Sequence, residues 1–226
     1  MPTESTRLRA PQNLLEQFRN LGTPNISDAL DHLGIPGGCH GLAPIVQGTK
    51  LVGSAFTVRY IPVGQSKGTV GDFIDDLDSS EVVVIDNHGR TDCTVWGDLM
   101  TIRASKMGIA GTVIDGVCRD VPRILELKYP IFTRGRFMVT GKDRVQVDAY
   151  NVPVTICGIQ VKPGDILVGD DSGVVVLPLE KAQAVLDVSF QISNAEGLIE
   201  QALSNGETLV AARTRVGYHK LQSKLG

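Results

Sequence analysis

The sequence has few cysteines, and none of them stand where a site would need them. Cys39, Cys93, Cys118 and Cys157 are widely separated, with no C-x-x-C pair and no Cys/His cluster at zinc spacing. That argues against a structural zinc site or a disulfide framework and predicts four reduced thiols in a reducing compartment. No dense Lys/Arg run interrupts a chain of formal net charge −3, so the electrostatic footprint of a nucleic-acid binder is missing. No apolar run approaches the ~20 residues that span a bilayer. The start, Met1-Pro2-Thr3-Glu4-Ser5, lacks a basic stretch followed by an apolar one, which predicts no signal peptide and a cytoplasmic location. No G-x-G-x-x-G follows a first strand, which argues against a methyltransferase-type nucleotide cofactor. Fixed-period repeats and low-complexity segments are also absent.

What is present reads as one globular domain over residues 1–226. Leu14, Leu15, Phe18 and Leu21 have helical spacing, broken by Gly22-Thr23-Pro24. A second helix follows, capped by Asn25 or Ser27, with Ile26, Ala29, Leu30 and Leu33 as its apolar face. The N-terminal helices thus cover about 11–33. Residues 36–48 are loop-like, a strand occupies 51–58, and Gly68 to Asp78 reads as a short helix. Val82 to Ile85 and Gly111 to Ile114 are unbroken apolar strands that stop at Asp86 and Asp115. Between them a helix runs from Asp98 to Met107 and closes at Gly108. A short helix from Ile124 to Leu127 and a third strand, Pro130 to Thr133, complete a parallel βαβ portion. After Arg134, short apolar runs alternate with turns (145–147, 152–156, 159–161, 166–168, 174–177), the pattern of an antiparallel β layer. From Leu179 the chain is a helical arm over about 179–226.

Ligands of open α/β sheets bind beyond the carboxyl ends of the parallel strands. Here that edge carries Asp86, Asn87, His88, Asp92 and Asp98 on one loop, and Asp115, Arg119 and Asp120 on the next. The free amides of Gly97, Asp98, Leu99 and Met100 open a helix and suit a small carboxylate. Arg119 can polarise a carbonyl oxygen beside it, and Asp120 is a hard ligand for Mg²⁺ or Mn²⁺. Taken singly, Asp98 and Asp120 could be helix caps and Arg119 a surface ion-pair partner. Together they fit a 2-oxo acid and the enolate formed when an adjacent C–C bond breaks. His88 reads as a solvated loop histidine, His32 and His219 as structural or exposed, and His40 stays open. Cys93 and Cys118 read as small buried thiols, and Trp96 either walls a pocket or fills the core.

Two segments carry a family resemblance. Trp96-Gly97-Asp98-Leu99, followed by Gly111 to Arg119-Asp120, makes a D-x20-R-D pattern, and Val161 to Pro178 forms a second signature. The chain resembles the RraA-like family, which groups the regulator of ribonuclease activity A with class II 4-hydroxy-4-methyl-2-oxoglutarate aldolases. The resemblance implies a layered α/β/β/α sandwich: a central parallel βαβ portion, an antiparallel β layer and flanking helices. It implies a metal-dependent lyase that releases pyruvate from a 4-hydroxy-2-oxo acid, with oxaloacetate decarboxylation as a further activity. The amides of Gly97, Asp98, Leu99 and Met100 would hold the pyruvyl carboxylate. Asp120 would ligate the metal, Arg119 would bind the oxo or enolate oxygen and position a water, and Asp98 would reach the metal through bound water. A homotrimer or hexamer is implied, with Asp28 and Glu196 supplied by a neighbouring subunit. The family's aldolases carry an acid where this chain has Arg123, and Asp28 stands in place of a glutamate. The alternative within the family is a non-catalytic regulator that masks an RNase E-like ribonuclease.

Overall fold

Alternation along the strands determines how the layers stack. In the computed structural model, which describes residues 7–65, 68–218 and 221, strand β3 (Glu81–Asp86) sends Val82 and Val84 into one apolar cluster and Val83 and Ile85 into another. Side chains alternate faces along a strand, so a continuous apolar run marks a strand covered on both sides.

The chain opens with α1 (Gln12–Arg19) and α2 (Thr23–His32), then the two-residue β1 (Ala43–Pro44) and the long β2 (Leu51–Pro62). After β3 come α3 (Asp98–Met107), β4 (Gly111–Cys118), α4 (Val121–Leu127) and β5 (Ile131–Arg136). The second half holds β6 (Val145–Tyr150), β7 (Val154–Ile156), β8 (Ile159–Val161), β9 (Ile166–Asp170) and β10 (Gly173–Leu177), then α5 (Ala182–Ser204) and α6 (Leu209–Val216). One sheet runs β1-β5-β4-β3-β2-β9-β10, with β6 also on β2. Strands β2 to β5 are mutually parallel, and the pairings that flank them are antiparallel. Strand β2 joins the two regimes: residues 51–54 pair with β9, while 54–59 pair with β3.

The sheet also folds back on itself. Cys39 N–H donates to Val174 O at 2.9 Å and Val176 N–H to Gly37 O at 2.8 Å, which brings the segment just before β1 against β10. Three apolar clusters pack on the two β layers, and a fourth joins α5 to α6. Leu51, Val84, Val113, Phe132, Leu167 and Val176 fill the space between the two β layers, where the separate β7–β8 hairpin also packs. Phe56, Val83, Ile85 and Ile114 face outward to α3 and α4. Val52, Ile166, Val168 and Val175 face outward on the other side, to α1, α2 and α5. The architecture is therefore the expected α/β/β/α sandwich. Each fully buried aliphatic side chain contributes about 1.5–3 kcal/mol of transfer free energy toward it.

Local expectations differ from the structure in three places. Helix α2 begins at Thr23, not after Asn25 or Ser27. The carboxylate of Asp170, from distant β9, accepts Thr23 N–H at 2.8 Å and the Thr23 hydroxyl at 2.6 Å, so the cap is supplied through space. Residues 68–78 hold only a single 3₁₀ turn, Ile74–Asp76, because Phe73, Ile74 and Leu77 are buried from irregular backbone. Helix α4 starts at Val121, earlier than Ile124. All four cysteines are free thiols. Among the described residues no helix is long and apolar enough to cross a membrane. Residues 1–6, His219 and the end of the C-terminal arm lie outside the described residues.

Candidate active site at the start of α3

Two chain segments meet here because a turn is forced into an uncommon conformation. Strand β4 ends at Cys118, and Arg119 N–H donates to Trp96 O at 3.0 Å, which joins the strand end to the loop before α3. Asp120 then adopts φ 56°, ψ 37°, a left-handed conformation that aspartate tolerates better than most L-residues. It occupies the N-cap position of α4, yet its side chain makes no cap hydrogen bond. Instead Asp120 Oδ2 accepts the Asp98 N–H at 3.1 Å and lies 3.3 Å from Arg119 Nε. The anion-binding character of the α3 start is thus already expressed, with a carboxylate of the protein itself as guest.

Gly97 makes this approach possible. A Cβ there would stand 2.7 Å from Asp120 Oδ2 and 3.3 Å from Arg119 Nε. Its φ of −143° is ordinary, so the requirement is for space and not for backbone freedom. Asp98 does not act as the cap; Gly97 holds that position, and Asp98 Oδ1 accepts the next amide, Leu99 N–H, at 2.8 Å. Beneath the site, Trp96 is buried, with its ring stacked on Tyr129 at 6.0 Å and 3°. Its Nε1–H donates to Thr101 Oγ1 at 2.9 Å, and the Thr101 hydroxyl donates to Gly97 O at 2.8 Å. Trp96 therefore both fills the core and supports the helix start, a linkage the sequence alone did not reveal. Trp96, Gly97, Met100, Arg119, Val70 and Thr140 border a cavity of about 600 Å³. The Arg119 side chain in that lining and its neighbour Asp120 are part-exposed, at 39% and 37%.

Other carboxylates predicted for this edge go elsewhere, by strand parity. Asp86 and Asp115 pair in register across β3 and β4 and share the face of Val82, Val84 and Val113, toward the sandwich interior. Asp86 Oδ2 accepts Thr155 N–H at 3.1 Å, and Asp115 Oδ2 accepts Cys157 N–H at 2.9 Å. Arg134 pairs with Asp115. These groups anchor the β7–β8 hairpin. Exposed Asp92 is bound by half-buried Arg90, whose hydrogen bond holds the carboxyl below the usual range. His88 donates its backbone N–H to Asp86 and places Nε2 2.9 Å from Tyr60 O, as a turn residue. Asp28 and Glu196 lie on α2 and α5, across both β layers from α3. Both Glu196 oxygens are engaged within the chain, by Asn25 Nδ2 and the Tyr218 hydroxyl, each at 2.5 Å. Arg123 pairs with Glu126 on the surface of α4.

Among the described residues no three His, Cys, Asp or Glu side chains gather into a metal cage. The donors on offer are carboxylate oxygens of Asp98, in the cavity lining, and of Asp120, next to Arg119, both part-exposed. That set fits a hard, largely hydrated ion such as Mg²⁺ or Mn²⁺, which needs one or two protein carboxylates, and does not fit a buried zinc.

Comparison with known proteins places this geometry in a family. A model of the RraA-like family (Aldolase/RraA) matches residues 23–176. Protein DlpA of Legionella pneumophila is 42% identical over 92% of the chain, which spans 34% of DlpA's own length. A protein of Halalkalibacterium halodurans, provisionally named 4-hydroxy-4-methyl-2-oxoglutarate aldolase, is 32% identical over 90% of the chain and 95% of its own. A crystal structure from Pseudomonas syringae pv. tomato superposes with a TM-score of 0.85 at 46% identity, covering 91% of this chain and 98% of that one. Streptomyces coelicolor RraAS2, described as an unusual member of the RNase ES inhibitor RraA protein family, gives 0.76 at 30% identity, over 84% and 96%.

Proposed function

The chain belongs to the RraA-like family, and on that premise we propose that it is a divalent-metal-dependent lyase that cleaves a C–C bond of a 4-hydroxy-2-oxo acid and releases pyruvate. One observation carries the reading: Asp120, in a left-handed conformation, is pressed against an anion-binding helix start, beside Arg119 in a cavity wall. A pyruvyl carboxylate matches the helix start formed by Gly97, Asp98, Leu99 and Met100, which holds a carboxylate already. Asp120 would hold Mg²⁺ or Mn²⁺, with Asp98 reaching the ion through bound water. When bound, the ion supplies Lewis-acid stabilisation of the oxygen on C2.

Arg119 faces the same oxygen with a fixed positive charge and can orient a water for proton transfer. In cleavage the C4 hydroxyl gives its proton to that water and C4 becomes a carbonyl. The C3–C4 bond breaks, and its electron pair passes to C3 and onto the C2 oxygen as the enolate. C3 then takes a proton to give pyruvate. Loss of CO₂ from oxaloacetate reaches the same enolate, which makes decarboxylation a natural side activity. Because Asp28 and Glu196 are remote within one chain, their participation requires a second copy, as in a homotrimer or hexamer.

The likeness to RraAS2 favours one second reading, a regulator that binds an RNase E-like ribonuclease. A coupled assay for pyruvate from a panel of 4-hydroxy-2-oxo acids and oxaloacetate, with and without EDTA, decides between them. Chelator-sensitive release supports the lyase. No release from any substrate, together with inhibition of an RNase E-type enzyme, supports the regulator.

A further inference from the structure

The cavity beside Arg119 is lopsided in charge. Among the described residues that line it, Arg119 is the one cation, while Asp72, Asp75 and Asp98 bring carboxylates, with Asp75 paired to Arg103 from outside the lining. Asp98 belongs to the reaction centre itself. Asp72 and Asp75 do not; they are exposed residues on the segment that forms the facing wall. That wall is held close to α3. A Cβ on Gly71 would lie 2.9 Å from Met100 Sδ, and Arg103 Nε meets Asp75 Oδ1 at 2.5 Å. Arg103 follows Gly97 by six residues, about 9 Å of helix rise. The carboxylates of the lip therefore border the space that the rest of a substrate must cross once its C1 carboxylate is seated at the α3 start. Val70, Ile74 and Met100 add apolar surface there.

We propose that the half of the substrate released as the second carbonyl compound carries no carboxylate. The substrates are 4-hydroxy-2-oxo monocarboxylates, and Asp72 is a specificity-determining residue that repels a second anion. This deepens the lyase reading and rests on it for the cleavage step. A carboxylate at C5 or beyond would meet the Asp72 carboxylate, with Arg119 already committed to the oxo oxygen and Arg103 to Asp75. At separations of several ångströms in a part-solvated cleft, one such like-charge contact lowers affinity by about tenfold. An uncharged tail meets apolar wall and pays no such penalty.

A matched pair of non-cleavable probes isolates the charge. 2-Oxopentanoate and 2-oxoglutarate have the same chain length and differ in a methyl group against a carboxylate at C5. Titration calorimetry of the full chain with Mg²⁺ should show 2-oxopentanoate binding at least tenfold more tightly. Asp72→Lys, at an exposed position that leaves the fold intact, should narrow that gap at least tenfold, chiefly by tightening 2-oxoglutarate. Equal or tighter binding of 2-oxoglutarate by the unaltered protein overturns the proposal, as does an unchanged gap in Asp72→Lys with an unchanged melting temperature. Pyruvate release is measured alongside, from 4-hydroxy-2-oxopentanoate and from 4-hydroxy-4-methyl-2-oxoglutarate. Faster release from the first supports the proposal, and faster release from the second overturns it. Release from neither, with the binding preference intact, overturns the lyase reading and leaves the charge preference standing.

Discussion

Adding one methyl group at Gly97 should disable the site without harming the fold. The Cβ of Gly97→Ala would stand 2.7 Å from Asp120 Oδ2, inside normal contact by about half an ångström or more. The backbone at φ −143° accepts alanine without strain, so the conflict is relieved by moving the Asp120 carboxylate and the Arg119 guanidinium, which a Cβ would meet at 3.3 Å. The stability cost is small: loss of the 3.1 Å bond from Asp98 N–H to Asp120, worth about 1–2 kcal/mol. For a chain of this length that lowers the melting temperature by roughly 2–8 °C. The functional cost is larger, because displacement of catalytic groups by about 1 Å costs on the order of a hundredfold in rate. Calorimetric melting, Mn²⁺ affinity and pyruvate release should therefore show a near-native fold, weakened metal binding and turnover reduced by about two orders of magnitude. Wild-type turnover and metal affinity in Gly97→Ala would refute the reasoning, since Asp120 would then have no need of its place at the α3 start.

Arg119→Lys and Arg119→Ala should each lower turnover by roughly a hundredfold or more while metal affinity falls much less, because a lysine keeps the charge but loses the planar fork; steady-state kinetics with a metal titration checks both. Asp170→Ala removes the through-space cap of α2 and should cost about 1–2 kcal/mol by calorimetric melting. Burial pushes the Asp170 carboxyl up, but hydrogen bonds from Thr23 and Ser172 outweigh it and hold the group below its usual 3.8. Its stabilisation is thus complete at neutral pH and is lost as pH falls through that lowered value, so the gap between wild type and Asp170→Ala should close in acid. Burial raises Cys39 to about 12 and Cys118 and Cys157 to about 11, so at pH 8 these three should alkylate more slowly by roughly a hundredfold or more in the native protein than after denaturation, Cys39 slowest.

The strands and α3 were legible because their signals are local: unbroken apolar runs bounded by aspartates, and a helix closed by Gly108 in the left-handed conformation. The start of α2 was not, because its cap comes from Asp170, 147 residues away in sequence. The segment from Gly68 to Asp78 has helical apolar spacing, yet Phe73 and Leu77 are buried from a loop, and packing overrides propensity there. At the strand ends, sequence proximity grouped Asp86 and Asp115 with Arg119 and Asp120. Counting faces from Val82 and Val113 separates them, since even spacing from those interior residues sends both aspartates to the β7–β8 hairpin. The pairing of Asp120 with the Asp98 amide depends on a left-handed residue and a missing Cβ, neither of which a motif displays as geometry.

Cleavage should depend on a divalent ion held by Asp120 beside Arg119. The most direct test is pyruvate release from a 4-hydroxy-2-oxo acid, begun in excess EDTA and followed as Mg²⁺ or Mn²⁺ is titrated in, for wild type and a folded Asp120→Ala. The expected result is no release in EDTA, recovery on metal addition in the wild type, and a metal requirement shifted at least a hundredfold higher in Asp120→Ala. Full activity in excess EDTA, or the same metal dependence in both proteins, would contradict it.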